Sequence, residues 1–193
     1  MAKLGVPILG RNLRFFITTG SRDHISENYP SIGARAEDTP FVILNPGGNS
    51  RPPSKCWPAD RFVELGNILI KKYNAIIGVI GYREKEERTA RQILDGFPES
   101  NRLDMAGKKM ELNRLAAAME KADLFVTSDT GAIHLASAVG VPTVGLYGPS
   151  RPERFGPWCN IHRIVIPPLP CAPCRGRQCR TGVMDCMKSI SVS

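Results

Sequence analysis

Ser128, Asp129, Thr130 and Gly131 stand together after a short apolar run, and His134 follows three positions later. Acid, hydroxyls, a glycine and an imidazole at a strand-to-helix corner are the groups that handle anions. The first turn of a helix carries unpaired N–H groups and a positive dipole end, which together attract phosphate. Gly131 lets backbone approach a ligand with no Cβ between them, Thr130 can donate a hydroxyl, and His134 can offer a ring nitrogen. Ser-Asp-Thr-Gly is equally an ordinary helix cap, and His134 alone reads as readily as a structural histidine.

A second corner has similar equipment. "NPGGNSRPPSKCWP", residues 45–58, is a Gly-rich loop that ends with Lys55 at a helix entrance. It lacks the Gly-Lys-Ser/Thr that closes a Walker loop and the G-x-G-x-x-G of dinucleotide folds, so neither reading holds. Taken alone it is a surface loop. Two anion-competent corners in one chain say more than either does.

The elements that position these corners follow from periodicity. "FVILN", "AIIGVIG", "DLFVTS", "PTVGLYG" and "HRIVI" are short apolar runs that read as strands, with another near Leu103–Met105. Between them "PADRFVELGNILIKKY", "EKEERTARQIL", "ELNRLAAAMEKA" and "GAIHLASAV" read as helices. Phe62, Leu65 and Leu69 make one apolar face, and Leu112, Leu115, Ala116 and Met119 make another. Strands alternating with helices predict an α/β fold: a Rossmann-like parallel sheet with helices on both faces. Ligands in such folds sit beyond the carboxyl ends of the strands, where both corners lie. Residues 1–40, rich in Gly, Pro, Arg and Ser, read as a linker or arm ahead of a domain at 41–193.

With 193 residues, 42% of them hydrophobic, the chain can bury one good core. No apolar run approaches the roughly 20 residues of a membrane span, and the N-terminus lacks a secretion signal. A soluble, cytoplasmic chain is expected. The net charge of +8 favours anionic partners. From Arg151 to Ser193, seven arginines and lysines stand against two acids. Cys171, Cys174, Cys179 and Cys186 cluster in this basic tail, at 171–186, and a zinc site, a disulfide or free thiols are all open readings.

The order of motifs resembles the C-terminal half of glycosyltransferase family 9, the ADP-heptose:lipopolysaccharide heptosyltransferases. "LNPGG…SKCWPADRFVEL", the block from "MAGKKMELNRLAAAMEKADLFVTSDTGAIHLASAVGVPTVGLYGPSRPERFGP", and "CAPCRGRQCRTGVMDCM" carry the resemblance. It implies a two-domain GT-B glycosyltransferase whose C-terminal domain holds the nucleotide sugar. Carried over to matching positions, Asp129, Thr130, Gly131 and His134 surround the donor diphosphate. Lys55 pairs with a phosphate, and Gly48 and Asn49 line the loop around it. Glu84 holds the ribose hydroxyls, with Glu86 as the alternative, and backbone near Lys109 and Met110 faces the base. No metal or cofactor is implied.

Against the family pattern, Met1 falls where an interdomain linker is expected, and the chain stops where a closing helix usually follows. The resemblance therefore implies a donor-binding domain, inactive without the N-terminal domain that carries the acceptor site and the catalytic base. The expected partners are ADP-heptose or ADP, the lipopolysaccharide inner core and the inner-membrane surface, with no nucleic acid. Three rivals remain: a nucleic-acid-binding module with a cysteine knuckle, a non-catalytic nucleotide-sugar sensor, and another sugar-nucleotide enzyme such as an epimerase.

Overall fold

A computed structural model of the chain describes residues 13–47, 55–107, 110–158, 161–174, 179, 182 and 185–192. Six strands form one wholly parallel sheet in the order β3-β2-β1-β4-β5-β6. They are β1 (Phe41–Asn45), β2 (Ile76–Gly81), β3 (Arg102–Ala106), β4 (Leu124–Ser128), β5 (Thr143–Leu146) and β6 (His162–Val165). All five residues of β1 and all six of β2 are buried, so these strands are covered on both faces and read as unbroken apolar runs. The strand order reverses between β1 and β4. There Asn45 pairs in register with Thr127, which sets the two loops that follow side by side.

Phe41, Ile43 and Phe125 pack on one face beneath α5 (Leu112–Lys121) and α6 (Ala132–Val139). Val42, Leu44 and Val126 pack on the other with Phe62 of α3 (Ala59–Tyr73) and with Ala90 and Ile93 of α4 (Glu84–Leu94). This is the doubly covered sheet that the alternation of elements predicts. Trp57 meets Phe62 edge-to-face at 4.9 Å, a geometry worth about 0.5–1.5 kcal/mol beyond area burial. The indole Nε1 donates to the Ile190 carbonyl, and Met187 and Ile190 are buried in the same cluster. Residues 185–192 are thereby fastened against the start of α3. Among the described residues no helix is long and apolar enough to cross a membrane.

Two expectations need revision. Residues 19–34 are helical rather than irregular: α1 (Thr19–Asn28) and α2 (Pro30–Ala34) bury Ile25 and Ile32, with Ile17 just ahead of them, in the cluster that holds Phe41 and Met119. Leu112 is 61% exposed, because it opens α5 beyond the packed turns that bury Ala116–Met119. A third finding has no counterpart in the periodicity, the short α7 (Pro152–Phe155) with proline at its start.

Arg22 grips Glu120 in a bidentate pair, Nε and Nη2 donating to the two carboxylate oxygens at 2.7 and 2.8 Å, and ties α1 to α5. The hydrogen bond from Arg22 holds the Glu120 carboxyl below its ordinary value. A depressed acid contributes stability above its unfolded pKa, about 4.3, and loses it as pH falls through the folded value. Amide protection in α1, relative to the intrinsic exchange rate, should therefore fall below about pH 4 ahead of protection in β1. Equal protection of the two at about pH 3 would count against this tie.

Candidate functional site

A cavity of about 200 Å³ opens at the carboxyl ends of β1, β2, β3 and β4, lined by Asn45, Gly81, Glu86, Gly107, Met110 and Thr130 among others. Asn45 organises its floor. Its amide Nδ2 donates to Thr127 Oγ1 at 3.1 Å and to Thr130 Oγ1 at 2.8 Å, while its Oδ1 accepts from the Gly47 amide. One side chain at the end of β1 thus holds both loops. Gly47 has φ +67°, and a Cβ there would stand 3.0 Å from the Thr130 methyl, so glycine is required by conformation and by contact.

The two helix entrances are also joined. The Trp57 amide, just ahead of α3, donates to Ser128 Oγ at the end of β4. Lys55 Nζ donates to Asp129 Oδ2 at 2.7 Å, with side chains 26% and 10% exposed. The Phe155 ring lies 5.9 Å from the same ammonium, and the buried Tyr147 hydroxyl fixes that residue by donating to its carbonyl at 2.8 Å. Burial, and then the nearby Asp129 charge, push the Tyr147 phenol upward, so it stays a neutral donor. Gly131 caps α6 without any side-chain hydrogen bond to the first amides, and open space lies before it.

The cavity's other end is built by β2 and α4. Glu86 lines it and accepts from the amides of Tyr82 and Arg83. Glu84 points elsewhere: its side chain is 91% exposed and pairs with Arg88. Met110 is buried and lines the cavity. His134 sits exposed on the first turn of α6, outside the cavity lining, with its amide donating to Gly131. Gly48, Asn49 and Lys109 lie outside the described residues. The structure therefore lines the cavity with Thr130, Met110 and Glu86 and bonds Lys55 to Asp129 at the neighbouring corner, while Glu84 lies outside the lining.

Asn45, Tyr82, Gly107 and Tyr147 are the contributors that sequence reasoning missed. Asn45 carried a signal, a lone amide ending an apolar strand. Burial of a primary amide requires hydrogen-bond partners. Among the described residues no group of three or more His, Cys, Asp or Glu is arranged to hold a metal ion. Burial raises the Cys186 thiol, and neighbouring Cys174 and Cys179 add to the effect.

The Glu86 carboxylate at one end of the cavity, with Thr130 and the start of α6 at the other and the Lys55–Asp129 pair joined to that corner, suits an elongated ligand with an anionic group. Comparison with known proteins decides the lineage. The model of glycosyltransferase family 9 (heptosyltransferase) matches residues 18–184. The chain belongs to glycosyltransferase family 9.

Its relatives include lipooligosaccharide heptosyltransferase 2 of Campylobacter jejuni, 28% identical over 76% of this chain and 46% of that protein. The Haemophilus influenzae enzyme of the same name is 31% identical over 66% and 37%. Among solved structures, the family 9 glycosyltransferase of Veillonella parvula superposes with a TM-score of 0.72 at 26% identity, covering 85% of this chain and 45% of that one. E. coli heptosyltransferase WaaC with ADP shares the fold, with a TM-score of 0.63 at 20% identity over 89% and 45%. This family 9 chain spans less than half the length of these relatives.

Proposed function

We propose that this chain is the donor-binding half of a heptosyltransferase, holding ADP-heptose while the heptose passes to a hydroxyl of the lipopolysaccharide inner core. The observation that carries the reading is the joining of two strand-to-helix corners at the β1/β4 switch point, where Thr130 and the start of α6 line one cavity and Lys55 is bonded to Asp129 beside them. Relatives named for lipooligosaccharide heptosyl transfer, and a fold neighbour solved with ADP, support the choice of donor.

In this reading Glu86 accepts the ribose hydroxyls and backbone beside Met110 faces the base. The α6 amides, Thr130 and Lys55 receive the diphosphate, and His134 stands at its outer side. During transfer the heptose C1–O bond to the diphosphate breaks and its electron pair leaves with ADP. The acceptor oxygen bonds to C1, and its proton goes to a base on the domain that carries the acceptor. Charge growing on the departing diphosphate meets fixed amides and an ammonium, which is the electrostatic term that lowers such barriers most. The reaction belongs in the cytoplasm, where the sugar nucleotide is available.

The full chain should bind ADP in calorimetry, bind UDP and GDP more weakly, and transfer no heptose without an acceptor-binding domain. Absence of ADP binding, or equal affinity for the three nucleotides, would overturn the donor assignment. Transfer by this chain alone would overturn its division of labour.

A further inference from the structure

We infer that Arg154 of α7 is a second phosphate-binding cation of the site, facing the distal phosphate of the diphosphate. The inference rests on the donor reading above and adds a residue to it. Charge shows what the corner still needs. Lys55 brings one positive charge, but Asp129 lies 2.7 Å away and cancels it, and Glu86 adds a negative charge at the other end of the cavity. The start of α6 contributes roughly half a positive charge. A diphosphate bears more than one negative charge, so these groups together offer it no net attraction. Another cation is needed beside Lys55.

α7 supplies one. The Arg154 guanidinium lies 5.3 Å from the centroid of the Phe155 ring, and the Lys55 ammonium lies 5.9 Å from the same centroid. Both are within reach of a cation–π contact, so one ring gathers the two cations. Among the described residues Arg154 has no carboxylate partner, in contrast to Lys55. Backbone fixes its position. The amides of Arg154 and Phe155 both donate to the Arg151 carbonyl, at 3.1 and 3.0 Å, and the Gly156 amide closes the turn on the Pro152 carbonyl at 2.7 Å. A Cβ at Gly156 would collide with that oxygen. The buried Tyr147 hydroxyl holds the Phe155 carbonyl from below.

The order of groups along the cleft gives Arg154 its phosphate. Thr130 lines the cavity, Asp129 and Lys55 stand at the next corner, and Phe155 and Arg154 lie beyond Lys55, outside the lining. The cavity holds about 200 Å³, less than the roughly 300–1,000 Å³ of sites that enclose a whole small ligand. A nucleoside diphosphate must therefore extend past its mouth, towards the two cations. The planar fork of an arginine suits phosphate oxygens.

Calorimetry with ADP and AMP on the full chain provides the test. Arg154→Gln should weaken ADP binding about three- to tenfold and change AMP binding by less than about twofold, because AMP lacks the distal phosphate. Arg154→Lys should recover only part of the loss, since it keeps the charge without the fork. The gap between the unaltered chain and Arg154→Gln should shrink as salt rises. Phe155→Leu should also weaken ADP binding, and by less when Arg154→Gln is already present. An ADP affinity that Arg154→Gln leaves unchanged overturns the inference while the donor reading stands, and so does an equal loss for ADP and AMP. A chain that binds no ADP overturns both.

Discussion

Valine in place of Gly81 should lower the melting temperature by roughly 2–12 °C and abolish nucleotide binding. A Cβ at this position would lie 2.5 Å from the Glu86 carbonyl oxygen and 2.6 Å from its carbon. Both are backbone atoms of α4, so no side chain can swing aside. The helix would have to move off β2, and Glu86 would move with it. Overpacking of this kind costs about 1–3 kcal/mol or more, and each kcal/mol lowers the midpoint by about 2–4 °C in a chain of this size. Gly81 also accepts from the Gly107 amide at 2.6 Å, so the β3 side of the cavity would shift too. Thermal melts and ADP calorimetry on one preparation would check both effects. A variant that melts normally and binds ADP would show that α4 is not braced as described.

Lys55→Met should weaken ADP binding roughly tenfold to a hundredfold, the equivalent of about 1.5–3 kcal/mol for a charge-assisted hydrogen bond. Two effects act in the same direction. The phosphate loses its ammonium, and Asp129, now without its 2.7 Å partner, repels the diphosphate. The second effect is separable. Adding Asp129→Asn to Lys55→Met should restore part of the affinity, and the coupling can be read from the double-mutant cycle. Calorimetry on the four proteins would show it. Unchanged affinity in Lys55→Met would remove the lysine from the site.

The strands and long helices were legible because their periodicity is strong: β2 is an unbroken apolar run and α5 repeats at helical spacing. α1 was not legible, since "TGSRDHISEN" offers Ile25 as its sole aliphatic side chain, and tertiary packing rather than pattern makes it a helix. α7 is one turn long and starts with proline, too little for any period. The choice between Glu84 and Glu86 shows how far local rules reach. Both lie in the first turn of α4, but Glu86 is its third residue, where a glutamate reaches back to the cap amide. That geometry turns its carboxylate towards the strand end and the cavity, while Glu84 projects to solvent. With Arg83 rather than a serine or threonine at the cap, the sequence lacks the usual signature of that geometry. No pattern in the sequence signalled that Asn45 would bridge both loops, because the bridge depends on β1 lying beside β4, 82 residues away.

The hydrogen bond from Trp57 to Ile190 spans 133 positions. Synthesis runs from the N-terminus, so the lysine-bearing loop gains this brace only after Ile190 has left the ribosome. Lys55 and Asn45 are made well before Ile190, yet the corner they serve is secured only with it. A nascent chain therefore presents the braced cavity only when every strand of the sheet is already available to support it.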